Sequence, residues 1–324
     1  MNEPGVDSAQ VRRGAIFLVN IGGPLIVGVL RHQLDGALIG ATVGMLLAFA
    51  DNDGGLLSRL RLLALAAGMI AGGGIIGYLC QDSAPALWAT FVAITLSVGM
   101  AARGGRETLL TSRLAAMAFT VAADMPSFER HLIWYLIGVA VLNAASRAID
   151  HLLAGPLPLQ RAASLQRPSG HGGWLRFALA FSSAAMVSMW IGRTLDLDHT
   201  IWIVTTTLVV MLPDAGASYR RILERIAGTF AGVIAALVIT MVFDSVVVNC
   251  VVILMLAPLI PHHHANRYWL HTGLIALMVL LAYDLTLLNS QSIAKLLTER
   301  LLDIVLGCAI GLVGTTLAFS RETK

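Results

Sequence analysis

Two arginines, Arg221 and Arg225, are followed by two glycines, Gly228 and Gly232, at spacings of four, three and four residues. Residues spaced in this way lie on one face of an α-helix. The planar guanidinium group of arginine can hold both oxygens of a carboxylate. This face is therefore predicted to offer two cations, and then exposed backbone, to an organic anion. The alternative is that Arg220 and Arg221 anchor a helix end at the lipid headgroups.

An aromatic residue and hydroxyl groups precede these arginines in the chain. Trp202 and Thr206 are four residues apart, so a helix would place both on one face. We expect them to contact the ring and the polar edge of an aromatic acid, while Arg225, assisted by Arg221, binds its carboxylate. A tryptophan near the end of an apolar helix is also a common interfacial anchor, and that alternative stays open.

Acidic residues within apolar segments are costly and often take part in proton transfer. Asp303 lies inside the last apolar segment, and Glu224 is adjacent to Arg225. Both are candidate proton carriers. Arg300 is one turn from Asp303, so a structural ion pair is the alternative interpretation. Three further aspartates lie near the ends of apolar segments, where we expect solvation: Asp124, Asp150 and Asp284.

The elements that carry these residues are apolar segments of about helix length. Hydrophobic residues make up 57% of the 324 residues and charged residues 13%, whereas soluble domains are about 25% charged. One bilayer crossing needs roughly 20 apolar residues. The chain is therefore predicted to be an all-α integral membrane protein with ten to twelve crossings. The predicted segments are 14–30, 36–50, 62–79, 84–101, 107–123, 132–150, 174–192, 200–212, 224–243, 245–260, 268–284 and 300–319.

Basic residues are distributed unevenly over the connections between these segments. Sixteen Lys and Arg residues fall on the side of the N-terminus and five on the other side. Cytoplasmic loops gather positive charge. We therefore predict a bacterial inner-membrane protein with both termini in the cytoplasm. The net charge of +3 is scattered over short connections, which does not indicate a nucleic-acid partner.

Weak internal similarity predicts a duplicated chain. A shift of 160 residues places Arg61 on Arg221, Gly68 on Gly228 and Gly72 on Gly232. The expected domains are a first six-helix repeat (1–150), a cytoplasmic linker rich in Pro and Gly (151–173) and a second six-helix repeat (174–324). Repeats of one orientation commonly bind substrate between them. Small residues four apart predict close helix packing; they include Gly68, Gly72, Gly228, Gly232, Gly307 and Gly311.

The stretch 199–236 combines a Trp-x-x-x-Thr helix, a turn at Pro213 and an Arg-x-x-Gly-Thr-x-x-Gly helix. This pattern resembles the fusaric acid resistance (FUSC) family, which includes aromatic acid exporters. Plant aluminium-activated malate channels are similar in the same region. The resemblance implies an efflux transporter for aromatic carboxylates. Larger exporters of the family have a sizeable cytoplasmic domain, where this chain has only the short linker, and they work with a periplasmic membrane fusion protein. The resemblance admits such a partner, and the small-residue faces permit a homodimer.

Several other chemistries lack their minimum residues. There is no G-x-x-x-x-G-K-[ST] loop, and the chain has only two lysines, Lys295 and Lys324. No H-E-x-x-H or G-x-S-x-G pattern occurs, so we expect neither an enzyme nor a cofactor. The adjacent residues His262, His263 and His264 cannot easily converge on one metal ion. The predicted function is export of small organic anions driven by the proton gradient. A passive anion channel and a non-transporting subunit of an efflux complex are the alternatives.

Overall fold

The computed structural model describes residues 8–124, 130–158, 168, 170–195, 200–243, 245–263, 267–286 and 293–320. Most of the predicted linker, His264 and the extreme termini lie outside the described residues. Within these ranges the chain is all-helical and contains no β-strand, and an isolated bridge pairs Gly54 with Leu157. The predicted all-α fold class is confirmed.

Each of the twelve predicted apolar segments coincides with a helix, because runs of apolar residues of this length favour one. The tenth segment is broken by a 3₁₀ turn, Ala257–Leu259, at Pro258. The helices are α1 Ser8–Leu30, α2 Leu34–Phe49, α3 Leu56–Cys80, α4 Ala84–Ala101, α5 Arg106–Ala123, α6 Arg130–Ala154, α7 Gly170–Thr194, α8 Thr200–Val210, α9 Ala215–Val242, α10 Val246–Leu256, α11 Ile260–His263, α12 Tyr268–Thr286 and α13 Ile293–Phe319.

Seven helices in the described part of the chain are long and apolar enough to cross a bilayer. They fall in α1, α3, α4, α6, α7, α9 and α13. Other apolar helices are shorter, and α8 has only 11 residues. The chain is thus a polytopic membrane protein, whereas the count of ten to twelve crossings and the cytoplasmic position of the termini stay predictions.

The helices form two compact units, and each unit takes helices from both of the predicted repeats. The repeat boundaries at 150 and 174 stay a prediction. Unit 1 comprises Met1–Ala67, Glu129–Arg161 and Ala227–Leu297, and unit 2 comprises Gly68–Phe128, Ala162–Ile226 and Thr298–Lys324.

Unit 1 contains a network of buried charges that the sequence analysis did not predict. The Arg59 side chain has 0% exposure and binds the Asp51 carboxylate through Nε and Nη2, at 2.9 and 2.8 Å. Its Nη1 donates to Asp150 at 2.7 Å, and Arg12 donates to both oxygens of Asp150 at 2.7 and 3.0 Å. Arg147 donates to the backbone carbonyls of Arg59 and Leu47, at 2.9 and 2.6 Å. These five side chains join α1, the α2–α3 connection, α3 and α6.

This network corrects one expectation. Asp150 was expected to be solvated at the end of its segment, but its side chain is only 11% exposed and is held by two arginines. The reason is that the ends of α1, α3 and α6 meet at the same place, so the positive and negative residues neutralise one another there. Asp124 is more exposed and binds Arg193 at 2.6 Å, and the Asp284 side chain lies outside the described residues.

The core of unit 2 is built by α4, α5, α7, α8 and α13. Phe91 and Phe119 stack with their ring centres 5.8 Å apart, and Phe177 packs against Phe181. The hydroxyls of Thr95 and Ser182 share a hydrogen bond of 2.7 Å, so α4 and α7 satisfy each other's buried polar groups. This core positions α8, which carries the predicted ring and hydroxyl contacts.

Candidate anion-binding site

The turn between α8 and α9 determines where the arginines of α9 point. The Asp214 carboxylate accepts a hydrogen bond from the Ala217 amide at 2.8 Å, as a residue that caps a helix does. The Ser218 hydroxyl accepts from the Leu212 amide at 2.8 Å and donates to the Leu212 carbonyl at 3.1 Å. Pro213 has no amide hydrogen to continue α8. Side-chain hydrogen bonds therefore hold the break between the two helices.

Arg225 of α9 reaches back to α8. Its Nη2 lies 3.5 Å from the Thr206 hydroxyl oxygen, the outer limit of a hydrogen bond. Thr206 is fully buried and Arg225 is half-buried. Two residues predicted to bind the same ligand are therefore adjacent. Arg221, one turn earlier on α9, is half-buried.

Helix α13 lies directly against α8 because it has glycine at the points of contact. A Cβ atom added at Gly307 would lie 2.7 Å from Thr206 Cβ and 2.9 Å from the Ile203 carbonyl oxygen. One added at Gly311 would lie 2.5 Å from Val210 Cγ2. The Thr207 hydroxyl donates to the Gly307 carbonyl at 3.1 Å. This close approach brings the charged residues of α13 to the aromatic residue of α8.

Arg300 and Asp303 of α13 complete the cluster. The guanidinium carbon of Arg300 lies 4.4 Å from the centre of the Trp202 ring, within the range of a cation–π interaction. Arg300 is 6% exposed and Trp202 is 7% exposed. Asp303 is 1% exposed, and its Oδ1 accepts no hydrogen bond from the described residues. Glu299 and Arg300 interact with it electrostatically.

Other predicted residues lie apart from this cluster. The Glu224 carboxylate binds its exposed neighbour Arg220 at 2.8 Å, an i,i+4 pair on α9. Gly228 and Gly232 lie in unit 1, where they pack against Trp269 and Gly273 of α12. Their backbone is therefore covered by α12, which corrects the expectation that it is exposed to a ligand.

The predicted packing glycines of α3 behave differently. Apart from the adjacent backbone of α3 itself, no atom of the described residues lies within 4 Å of a Cβ added at Gly68 or Gly72. The contact of α3 with α5 is made by the next turns, where Gly73 meets Ala115 and Gly77 meets Phe119. Helix α5 thus approaches the neighbouring face of α3, and the packing role of Gly68 and Gly72 stays a prediction.

Sequence reasoning missed the roles of two arginines in unit 2. Arg113 of α5 donates to the Met211 carbonyl at 2.6 Å, and its guanidinium lies 5.9 Å from the Phe181 ring centre. It therefore satisfies a carbonyl just beyond the end of α8. The available signal was its position as an arginine inside an apolar segment. Arg300 had been considered only as a partner of Asp303, and spacing along α13 could not show that it meets Trp202.

Comparisons with known proteins place this cluster within a family segment. The family described as fusaric acid resistance protein-like matches residues 185–314. An uncharacterized protein of Haemophilus influenzae is 31% identical over 135 residues, which are 42% of this chain and 18% of that protein. An uncharacterized protein of Synechocystis is 26% identical over 154 residues, 46% of this chain and 20% of that protein.

These matches span only about a fifth of the length of either relative. No solved structure matches the chain significantly. The family match covers Trp202, Thr206, Arg225, Arg300 and Asp303 together. The matched residues 185–314 include the motif between Trp202 and Gly232, so the match supports the resemblance to the fusaric acid resistance protein-like family.

Proposed function

We propose that this chain exports small aromatic carboxylates across the bacterial inner membrane and uses the proton gradient to do so. One observation carries the proposal: two cations, Arg225 and Arg300, and a buried acid, Asp303, lie around the face of α8 that contains Trp202 and Thr206. Charged groups within a membrane protein are costly to bury and mark substrate or proton pathways. The match of residues 185–314 to the fusaric acid resistance protein-like family, a membrane transport family, supports the same role.

Each residue has a distinct task in this proposal. Arg225 binds the carboxylate, since its planar fork matches two oxygens, and the Thr206 hydroxyl beside it donates to the same group. The face of Trp202 receives the aromatic ring. Arg221, one turn earlier, attracts the anion toward the site. Arginine and an aromatic ring together favour aromatic acids over simple anions.

Asp303 is the better of the two candidate proton carriers. It is buried, and no described residue donates a hydrogen bond to its Oδ1. Glu224 is already bound by Arg220, whose side chain is 71% exposed. A carboxyl that gains and loses a proton without first breaking an ion pair is suited to coupling.

The proposal is tested by efflux of labelled 4-hydroxybenzoate from loaded cells, with and without a protonophore. The variants are Arg225→Gln and, as a matched control on the same helix, Arg220→Gln. A hydrogen bond to a charged group contributes about 1.5–3 kcal/mol, so Arg225→Gln should lower efflux by at least about tenfold. The control should match the parent chain.

Other outcomes indicate the alternatives. Efflux that persists with the protonophore and in Asp303→Asn would indicate a passive anion channel. Copurification with a periplasmic membrane fusion protein, without flux by the chain alone, would indicate a subunit of a larger complex. Normal efflux by Arg225→Gln at equal expression would refute the assignment of the carboxylate site.

A further inference from the structure

We propose that Arg300 is a proton-controlled cover of the Trp202 ring, so that a proton on Asp303 and an aromatic anion on Trp202 exclude each other. This inference rests on the proposed function and specifies how that site exchanges its two ligands. The observation behind it is the position of the Arg300 side chain. Its guanidinium lies on the ring of Trp202, although a carboxyl group is one turn away on the same helix.

The contact between Arg300 and Trp202 occupies the surface that an aromatic substrate would need. At 4.4 Å from the ring centre, the guanidinium covers one face of the indole. Both side chains are more than nine-tenths buried, so water does not compete for that face. An aromatic ring cannot stack there until Arg300 moves away. The structure thus shows the ring covered.

The surroundings of Asp303 suit a protonated, neutral carboxyl group. It is buried, its Oδ1 accepts no hydrogen bond, and it forms no salt bridge within the described ranges. An unpaired carboxylate in an apolar interior is costly, so this arrangement accommodates the neutral acid. The covered ring and the protonated acid therefore occur in the same state, because a neutral Asp303 does not attract the Arg300 guanidinium away from Trp202.

Loss of the proton changes the preferred partner of Arg300. Residues three apart on a helix are neighbours, and an arginine binds a carboxylate more strongly than it binds an aromatic face. A deprotonated Asp303 therefore draws Arg300 off the ring. The uncovered Trp202 receives the aromatic ring of the substrate, while Arg225 binds its carboxylate.

The charges and protons balance in this exchange. One proton leaves Asp303 as one anion binds, and protonation of Asp303 returns Arg300 to Trp202 and expels the anion. Each cycle exchanges one anion for one proton, so an inward proton gradient drives outward anion flow. Arg300 acts through Trp202 and Asp303 and is thus a positioning residue.

Few other groups in this part of unit 2 can titrate or carry charge. Among the described side chains of α13 they are Glu299 and Cys308, and on α9 the nearest to α8 is Arg225. The side chain of Lys295, at the start of α13, lies outside the described residues. Helix α8 has no titratable side chain between Thr200 and Val210. Because Glu299 is the second acid, Glu299→Gln serves as the control that should leave the exchange intact.

The test measures protons released when 4-hydroxybenzoate is added to the purified full chain in detergent, in weakly buffered solution with a pH indicator. The parent chain should release about one proton per anion bound. Its affinity should weaken by up to about tenfold per pH unit on acidification, the limit for one linked proton. Measurements between pH 6 and 8 keep the ligand carboxylate ionised.

Four variants distinguish proton-controlled covering of Trp202 from a purely structural role of Arg300. Arg300→Gln uncovers Trp202 at every pH, so the anion should bind without proton release and without pH dependence. Asp303→Asn mimics the neutral acid, leaves Arg300 on the ring and should weaken binding at every pH. The double variant Arg300→Gln/Asp303→Asn should bind as Arg300→Gln does. Arg300→Lys, which keeps the charge but stacks less well, should bind more tightly than the parent chain at pH 6.

Proton uptake on binding would overturn the inference, since it would mean that anion and proton travel together. Proton release that persists in Arg300→Gln would overturn it as well. Proton release that persists in Arg300→Gln leaves the proposed function standing, because the anion still binds in an Arg225-dependent manner. Proton uptake leaves Arg225 as the anion-binding residue but contradicts export driven by an inward proton gradient, since anion and proton would then move in the same direction. If the parent chain binds the anion no better than Arg225→Gln does, the proposed function fails and this inference fails with it.

Discussion

Asp150→Asn in unit 1 tests whether the buried ion network holds that unit together. The Asp150 carboxylate accepts three hydrogen bonds, two from Arg12 and one from Arg59, at 2.7 to 3.0 Å. Asparagine keeps one oxygen acceptor but turns an NH₂ group toward a guanidinium. With that oxygen at the Oδ2 position, the bonds from Arg12 Nη2 and Arg59 Nη1 remain but are no longer made to a charged group, and the bond from Arg12 Nε is lost. The three arginines of the network are then left with one carboxylate, that of Asp51.

The expected loss of stability is large because the ion network is buried. Arg59 has no exposed side-chain surface, so water cannot replace the missing carboxylate. Removing one partner of a buried ion pair destabilises a protein by about 3–5 kcal/mol. A unit of this size loses about 2–4 °C of melting temperature per kcal/mol, so we expect a decrease of about 10 °C. The exposed pair Arg220–Glu224 contributes about 0.3–0.5 kcal/mol, so Arg220→Gln should change the melting temperature by about 1–2 °C at most.

The assay is thermal unfolding in detergent, followed by size-exclusion chromatography of heated samples. The double variant Arg12→Gln/Asp150→Asn removes one cation together with the carboxylate. It should recover part of the loss if the cause is an uncompensated buried charge. A decrease for Asp150→Asn no larger than that for Arg220→Gln would refute the reasoning, because the network would then be effectively solvated.

Three further predictions concern unit 2. Gly307→Ala should destabilise the protein by about 1–3 kcal/mol, because the new Cβ meets Thr206 and the Ile203 backbone, whereas Gly72→Ala should be neutral or slightly stabilising in the same thermal assay. Arg113→Met should cost about 1–3 kcal/mol, because it leaves the buried Met211 carbonyl without its donor at 2.6 Å; a melting temperature equal to that of the parent chain would contradict this. Thr206→Val should raise the KM for anion efflux less than about threefold, since its contact with Arg225 is at the 3.5 Å limit; an effect as large as that of Arg225→Gln would make the hydroxyl a principal ligand.

The helices could be predicted from the sequence because their signal is local. An apolar run of helix length favours a helix wherever it lies in the fold, and every predicted run contains one. Their lengths were harder to predict. Helix α8 ends at Val210 because Arg113 and Ser218 satisfy the backbone groups beyond it, and one of these residues is 98 positions away in the chain. The number of crossings depends on such contacts.

The candidate site could be predicted only in part, because only some of its contacts join neighbouring segments of the chain. Thr206 and Arg225 are 19 residues apart on consecutive helices, so a motif could relate them. Arg300 and Trp202 meet only because Gly307 lets α13 approach α8, which no local pattern reveals. In unit 1, Arg59 and Asp150 are 91 residues apart. The sequence alone shows each of them only as a charged residue near a helix end.

The residues at which the chain passes from one unit to the other recur at similar intervals in the two predicted repeats. The chain passes between the units within α3 before Gly68 and within α9 before Ala227, positions 159 residues apart. It does so again before Glu129 and before Thr298, which are 169 apart. These intervals are close to the sequence shifts that relate the predicted repeats, so a duplicated chain whose halves exchange the same helices would produce this division.

In that scheme α2, the start of α3 and α6 in unit 1 correspond to α8, the start of α9 and α13 in unit 2. Both sets carry buried charges, but the charges are used differently. In unit 1 every carboxylate of the network is bound by an arginine, which fixes the helix ends. In unit 2, Asp303 has no such bond, and Arg300 rests on an aromatic ring. A paired buried charge resists titration, whereas an unpaired one responds to it. In that scheme the same three helices provide a rigid framework in one unit and the proposed proton-dependent contact in the other.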